Sequence, residues 1–184
     1  MNRVMTGMKF VLAGTVIAFG LGACATAPVS VEGKADIEKD AASTLSAARA
    51  ADPSLGPILN SSAGYAVFPK VGKAAAGVGG AYGKGVLYER GRAVGYCDLT
   101  QATVGAQLGG QTYAQIIAFE TKEAVDSFKQ GNFRFAAQAT AVALKSGVGA
   151  NAQYKDGVAV FTMDEAGLMG EAAVGGQKFS YQAK

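Results

Sequence analysis

Between Gly77 and Gly85 the alternate residues read Gly77, Gly79, Ala81, Gly83 and Gly85, while Val78, Tyr82, Lys84 and Val86 hold positions of the other parity. Successive side chains of a strand point to opposite faces, so this spacing leaves one face of a strand almost bare. Glycine weakens a strand through entropy and lost packing, so a bare face implies a very close neighbour or a sharp coil of the chain. Two readings stay open. In the architectural one, a helix or second sheet packs on the bare face, or a small barrel turns its corner there. In the functional one, the face is a shallow groove for an acyl chain or headgroup. Of the 26 glycines, four precede Cys24. The remainder of the chain still holds about twice the usual glycine share of roughly 7%.

Phosphate-binding loops do not account for these glycines. Gly72-Lys73 and Gly83-Lys84 have Val67 and Val78 where a P-loop needs its first glycine, and neither lysine precedes serine or threonine. A dinucleotide G-x-G-x-x-G starting at Gly77 and Gly79 fails at Tyr82.

The N-terminus carries Arg3 and Lys9, then an uncharged run of twelve residues from Phe10 to Leu21. That is signal-peptide length, well short of the roughly 20 apolar residues of a membrane-spanning helix. Leu21-Gly22-Ala23-Cys24 follows. It resembles a lipobox, in which small residues admit the backbone to a narrow protease cleft and the cysteine becomes the lipidated first residue. The expected organisation is a signal peptide at 1–23, a lipidated tether at 24–33 and a single domain at 34–184. Ala25 is not the aspartate that retains many lipoproteins in the inner membrane, so the expected location is the outer membrane, facing the periplasm.

Two of the 17 basic residues, Arg3 and Lys9, would leave with the signal, so 15 would stand against 14 acidic residues. A nearly neutral domain gives no reason to expect nucleic acid as a partner. Once Cys24 is acylated, Cys97 is the one remaining thiol and no intrachain disulfide can form. Cys97 has no histidine or close basic neighbour in sequence to lower its pKa, which makes it a structural thiol. The chain has no histidine at all. That removes Ser-His and Cys-His nucleophile pairs and the commonest zinc or copper ligand. Asp164 and Glu165 are adjacent in an expected turn and would point apart, unlike a glycosidase pair. No catalytic residue, cofactor or metal is expected.

In the domain, Ile37, Ala41, Leu45 and Ala48 repeat at helical spacing, predicting an amphipathic helix over Lys34–Ala50 that ends before Asp52-Pro53. A short helical turn is expected over Leu55–Leu59. Period-two patterning then predicts a strand over Ala63–Pro69, a long strand or a hairpin across Ala76–Glu89, and further strands near Ala93–Leu108 and Gln111–Phe119. Thr121 is placed to cap a helix through Gln130, with Ala124, Val125 and Phe128 inward and Gly131-Asn132 at its end. A further helix is predicted over Arg134–Lys145, then strands at Val158–Met163 and Lys178–Gln182, with a turn at Asp164–Gly167 between them. The fold class is α+β: a mostly antiparallel, glycine-rich curved or small barrel-like sheet with an N-terminal amphipathic helix and one or two further helices packed on it.

Several runs together resemble the SYLF domain, found in bacterial lipoproteins and in eukaryotic proteins of the actin and endocytic machinery. They are Ala63-Gly64-Tyr65-Ala66-Val67-Phe68-Pro69-Lys70-Val71-Gly72-Lys73, Gly79-Gly80-Ala81-Tyr82-Gly83-Lys84-Gly85-Val86, Gly105-Ala106-Gln107-Leu108-Gly109-Gly110-Gln111, Gly167-Leu168-Met169 and Gly175-Gly176-Gln177-Lys178-Phe179. The resemblance implies phospholipid-membrane binding without catalysis. Gly170-Glu171-Ala172-Ala173 departs from the serine-containing run usual in eukaryotic members. Neither phosphoinositide specificity nor an actin partner is therefore carried over.

Between Tyr65 and Arg92, Lys70, Lys73, Lys84, Arg90 and Arg92 stand against the single acid Glu89. They are the candidate contacts for lipid phosphate, at about 1 kcal/mol per basic side chain near an anionic surface. The competing reading is a solvated set of strand charges that discourages aggregation. A second function also stays open, an envelope scaffold whose glycine face or basic surface binds another protein.

Overall fold

The computed structural model describes residues 31–131, 134–135, 141–144, 152–164 and 176–184. Helices α1 (Val31–Ala51) and α2 (Leu55–Ser61) lead into two very long strands, β1 (Gly64–Glu89) and β2 (Arg92–Phe119). Helix α3 (Lys122–Lys129), the short strands β3 (Arg134–Phe135) and β4 (Ala141–Ala143), β5 (Val158–Asp164) and β6 (Gln177–Ala183) follow. The class is α+β, as the patterning predicts.

Helix α1 begins at Val31, inside the stretch expected to be tether. It buries Ala41, Leu45 and Ala48, with Ile37 packed at their edge, while Asp36, Lys39, Asp40 and Ser43 face solvent. Beyond its end, the Asp52 carboxylate accepts from the Ser54 backbone N–H at 3.0 Å and from the Ser54 hydroxyl at 2.6 Å, fixing the turn through Pro53. Thr121 caps α3 by accepting from the Ala124 N–H at 3.3 Å, and Gly131 takes φ +69° just past its end.

β2 is the spine of the sheet. One of its edges pairs with β1 along almost its whole length, from Gly64 opposite Phe119 to Glu89 opposite Arg92. Its other edge is shared: β6 pairs with Gly95–Gln101, and β5 pairs with Tyr113–Phe119. Pairing is antiparallel throughout except between β4 and β5. The separate segments predicted in the middle of the sequence are thus two continuous strands, and Ala76–Glu89 is part of one long strand and not a hairpin. Register shifts at Phe68/Val71 and Ala76/Val78 mark where β1 bends.

At Gly83 and Gly85 the bend favours the architectural reading of the glycine face. The halves of β1 come back on one another in antiparallel fashion. A β-carbon on Gly85 would stand 2.5 Å from the Val67 carbonyl oxygen and 2.7 Å from Phe68 Cδ1; one on Gly83 would stand 2.9 Å from Val71 Cγ2; one on Gly64 would stand 2.9 Å from the Tyr88 carbonyl. At Gly83 and Gly85 the bare face is filled by the strand's own beginning. Among the described residues the ribbon coils without closing into a barrel, because the strand order ends at β3 on one side and β4 on the other.

Both faces of the sheet are covered. One core gathers Ala66, Phe68, Leu87, Cys97, Leu99, Ile117, Phe119 and Phe179 with Val125 and Phe128 of α3. The other sets Tyr65, Val67, Val86, Tyr88, Tyr96, Ile116 and Phe161 against α1 and α2.

The helix predicted over Arg134–Lys145 is not formed where the structure describes that stretch. Arg134–Phe135 pairs with Gln177–Lys178, and Ala141–Ala143 runs parallel to Val160–Thr162. Alanine favours helix in isolation, but unpaired edges of β5 and β6 offer backbone hydrogen bonds that outweigh a weak propensity. Glu165–Gly167 of the predicted turn lies outside the described residues, while Asp164 ends β5.

Candidate functional site

The basic residues are distributed along β1 and its turn. Glu89 and Arg92 pair across a two-residue connection, Arg90-Gly91, with φ of +51° and +74°. Two positive φ values define the turn whose twist suits a hairpin, usually made by Asn-Gly. An arginine in this left-handed conformation costs about 1 kcal/mol. Both Arg90 and Arg92 are exposed.

Lys70 is also exposed, and its carbonyl lies 3.1 Å from a β-carbon position on Gly83, so the coil brings Lys70 near Lys84. Lys84 is half-buried opposite Asp98. Asp98, only 3% exposed, accepts from the Tyr82 and Ser180 hydroxyls, each at 3.3 Å. Lys73 is 7% exposed and does not share the open surface. The five cations therefore form no single patch: Arg90 and Arg92 sit at the turn, Lys70 and Lys84 at mid-strand, and Lys73 is withdrawn from solvent.

The sequence reading missed a second charged group near the turn. The Tyr96 hydroxyl donates to Glu38 of α1 at 2.6 Å, Lys184 bridges to Glu38 at 2.8 Å, and the Lys34 ammonium lies 5.1 Å from the centre of the Tyr96 ring. Hydrogen bonds from Lys184 and Tyr96 hold the Glu38 carboxyl below its ordinary pKa. Burial, then the bond to Glu38, pushes Tyr96 up to about 12. Lys129 pairs with Glu89 beside the turn and lies 5.7 Å from the Tyr181 ring centre. The end of the sheet carrying the turn thus also carries the start of α1, with Lys34, and Lys184.

Also missed was a buried trio of glutamines. Gln115 donates to Gln177 at 3.0 Å, and Gln177 is within 3.2 Å of Gln101 and of the Gln115 carbonyl oxygen. They stand on β2 and β6, too far apart in sequence for any spacing rule to join them. Cys97 is fully buried, and desolvation, then the Asp98 charge, raises its thiol well above the ordinary value. It is the structural thiol that the sequence indicates. Among the described residues no three of cysteine, aspartate and glutamate gather closely enough to hold a metal, and no helix is long and apolar enough to cross a membrane. Cys24 lies outside the described residues.

Residues 100–184 match the family described as "Ysc84: Las17-binding protein actin regulator", the SYLF family. The "Beta cell expansion factor A" of Aeromonas veronii is 31% identical over 84 residues, covering 46% of this chain. The matched stretch is 32% of that protein, so the chain corresponds to about a third of its length.

Proposed function

We propose, for a chain whose residues 100–184 match the SYLF family, that the domain binds phospholipid membranes without catalysis and is held to the cell envelope by a lipid on Cys24. The observation that carries this reading is the display of cations along β1 and at the hairpin turn that follows it. Lys70, Arg90 and Arg92 are exposed and Lys84 half-exposed, while the one acid in that stretch, Glu89, is paired with Lys129. Basic groups near an anionic surface contribute about 1 kcal/mol each, and anchoring adds effective concentration. The outer membrane, facing the periplasm, is the proposed location. The actin regulation in the family's description stays with other members, because an envelope-facing domain meets no actin.

Residues 25–184 contain both described cores and serve for the test. Co-sedimentation with phosphatidylglycerol vesicles is expected at low salt, to weaken with rising ionic strength, and to be absent with phosphatidylcholine. No pelleting at low salt overturns lipid binding and leaves the protein scaffold. Mass spectrometry of the wild-type chain beside Cys24→Ala tests the anchor; an unlipidated wild-type N-terminus refutes it.

A further inference from the structure

The coil of β1 separates the cations into an end group and a mid-strand group, and they are not equivalent for a domain tethered through its N-terminus. We infer that the membrane-facing surface is the hairpin-turn end, formed by Arg90, Arg92, Lys34 and Lys184, and that its ligand is an anionic bilayer. This deepens the lipid-binding reading and rests on it.

Three observations converge. The start of α1 is fixed at that end, with Lys34 against Tyr96 and Glu38 held by Tyr96 and Lys184, while Lys184 donates its backbone N–H to Val94, two residues past Arg92. Val31 stands seven residues after Cys24, a stretch reaching at most about 25 Å. A lipid on Cys24 would therefore keep this end near the bilayer, while the bend of β1 at Ala76/Val78 lies up to about 36 Å of strand beyond the turn. The charge at this end also suits the partner. Glu38 and Glu89 are paired with Lys184 and Lys129, and the exposed Asp36 offsets Lys34 on α1, leaving Arg90 and Arg92 in excess. Finally, Arg90 occupies a left-handed turn position where asparagine or glycine is easier, φ +51°, and its side chain is exposed. An arginine held against backbone preference, with no packing role, is placed for what its guanidinium meets outside the fold, and phosphate is its natural partner.

The chain has no tryptophan, so a single introduced one reports without background. The full chain would be produced lipidated and reconstituted in vesicles holding brominated phosphatidylglycerol or brominated phosphatidylcholine. It would carry either Gln182→Trp, exposed opposite Tyr96 beside the turn end, or Tyr82→Trp, 42% exposed further along β1. Quenching is expected at position 182 in anionic vesicles and not at 82. Arg90→Asn with Arg92→Gln should lower the docked-to-free ratio about 25-fold, from about 1 kcal/mol per cation. Quenching at 182 then falls to its level in phosphatidylcholine, with the unfolding midpoint unchanged or raised because asparagine suits the turn. Arg92→Lys alone should keep the quenching. Quenching at 82 in place of 182, or quenching at 182 that survives the double substitution, overturns this orientation while leaving lipid binding intact. Quenching at neither position in anionic vesicles overturns lipid binding itself.

Discussion

The carbonyl oxygen of Val67 lies 2.5 Å from the place a β-carbon on Gly85 would occupy, although both residues belong to one strand. The approach is possible because Gly85 has no side chain. Gly85→Ala should lower stability by about 1–3 kcal/mol, since backbone and the Phe68 ring must both shift. Gly72→Ala, with nothing within 4 Å of the new atom, should be neutral or stabilising by up to about 1 kcal/mol. Urea denaturation of the two variants checks the contrast; equal effects would mean that the contact is not tight.

Glu38 links α1 to β2 and to Lys184 near the last strand. Its folded pKa is lowered below 4.5, so its stabilising contribution is present above the unfolded value and is lost as pH falls through the folded one. The stability gap between wild type and Glu38→Gln should be steady near neutrality and shrink below about pH 4.5. Parallel denaturation series from pH 7 to pH 3 measure it, and a gap that grows on acidification contradicts the assignment. Tyr96→Phe should cost about 1 kcal/mol at pH 7 by removing the shorter of these hydrogen bonds.

The three glutamines share hydrogen bonds, so breaking one member removes a partner from each of the others. Gln177→Leu should destabilise by about 1–3 kcal/mol. Replacing Gln101 and Gln115 by leucine as well should add less than two further full penalties, because the hydrogen bonds they share with Gln177 are already lost. Thermal unfolding of the single and triple variants tests this; additive losses would show the three acting independently.

Cys97 is inaccessible and its thiolate disfavoured by burial and by Asp98. Alkylation of the native protein should therefore run at the rate of transient opening rather than at the rate of free cysteine. Iodoacetamide labelling with and without urea distinguishes these, and prompt native labelling would contradict the burial.

Much of this fold was readable from local pattern. The apolar stripe Ile37, Ala41, Leu45, Ala48 marks the buried side of α1, and Thr121 marks the start of α3, because capping and amphipathicity act within one or two turns. The continuity of β1 and β2 was not readable. Gly72–Ala75 carries no alternation, yet those residues pair with Gly109–Thr112 because the flanking register holds them together. The partner of the glycine face was hidden for a related reason: strand sequence tells which face is bare and not that the strand returns to cover itself. Among the candidate contacts, the exposure of Arg90 and Arg92 follows from the turn, but the burial of Lys73 follows from the coil, which no periodicity records.

The placement of β6 has a consequence for the order of events during synthesis. β2 reaches its second edge partner at Gly95–Gln101 only when Gln177–Ala183 arrives, and Phe179 completes the core shared with Phe68 and Phe128. Those residues leave the ribosome late, and pairings so distant in sequence form slowly. The nascent chain therefore remains unable to seal its interior until elongation nears residue 183. A polypeptide that must thread a translocation channel before it folds would gain that delay from its topology alone.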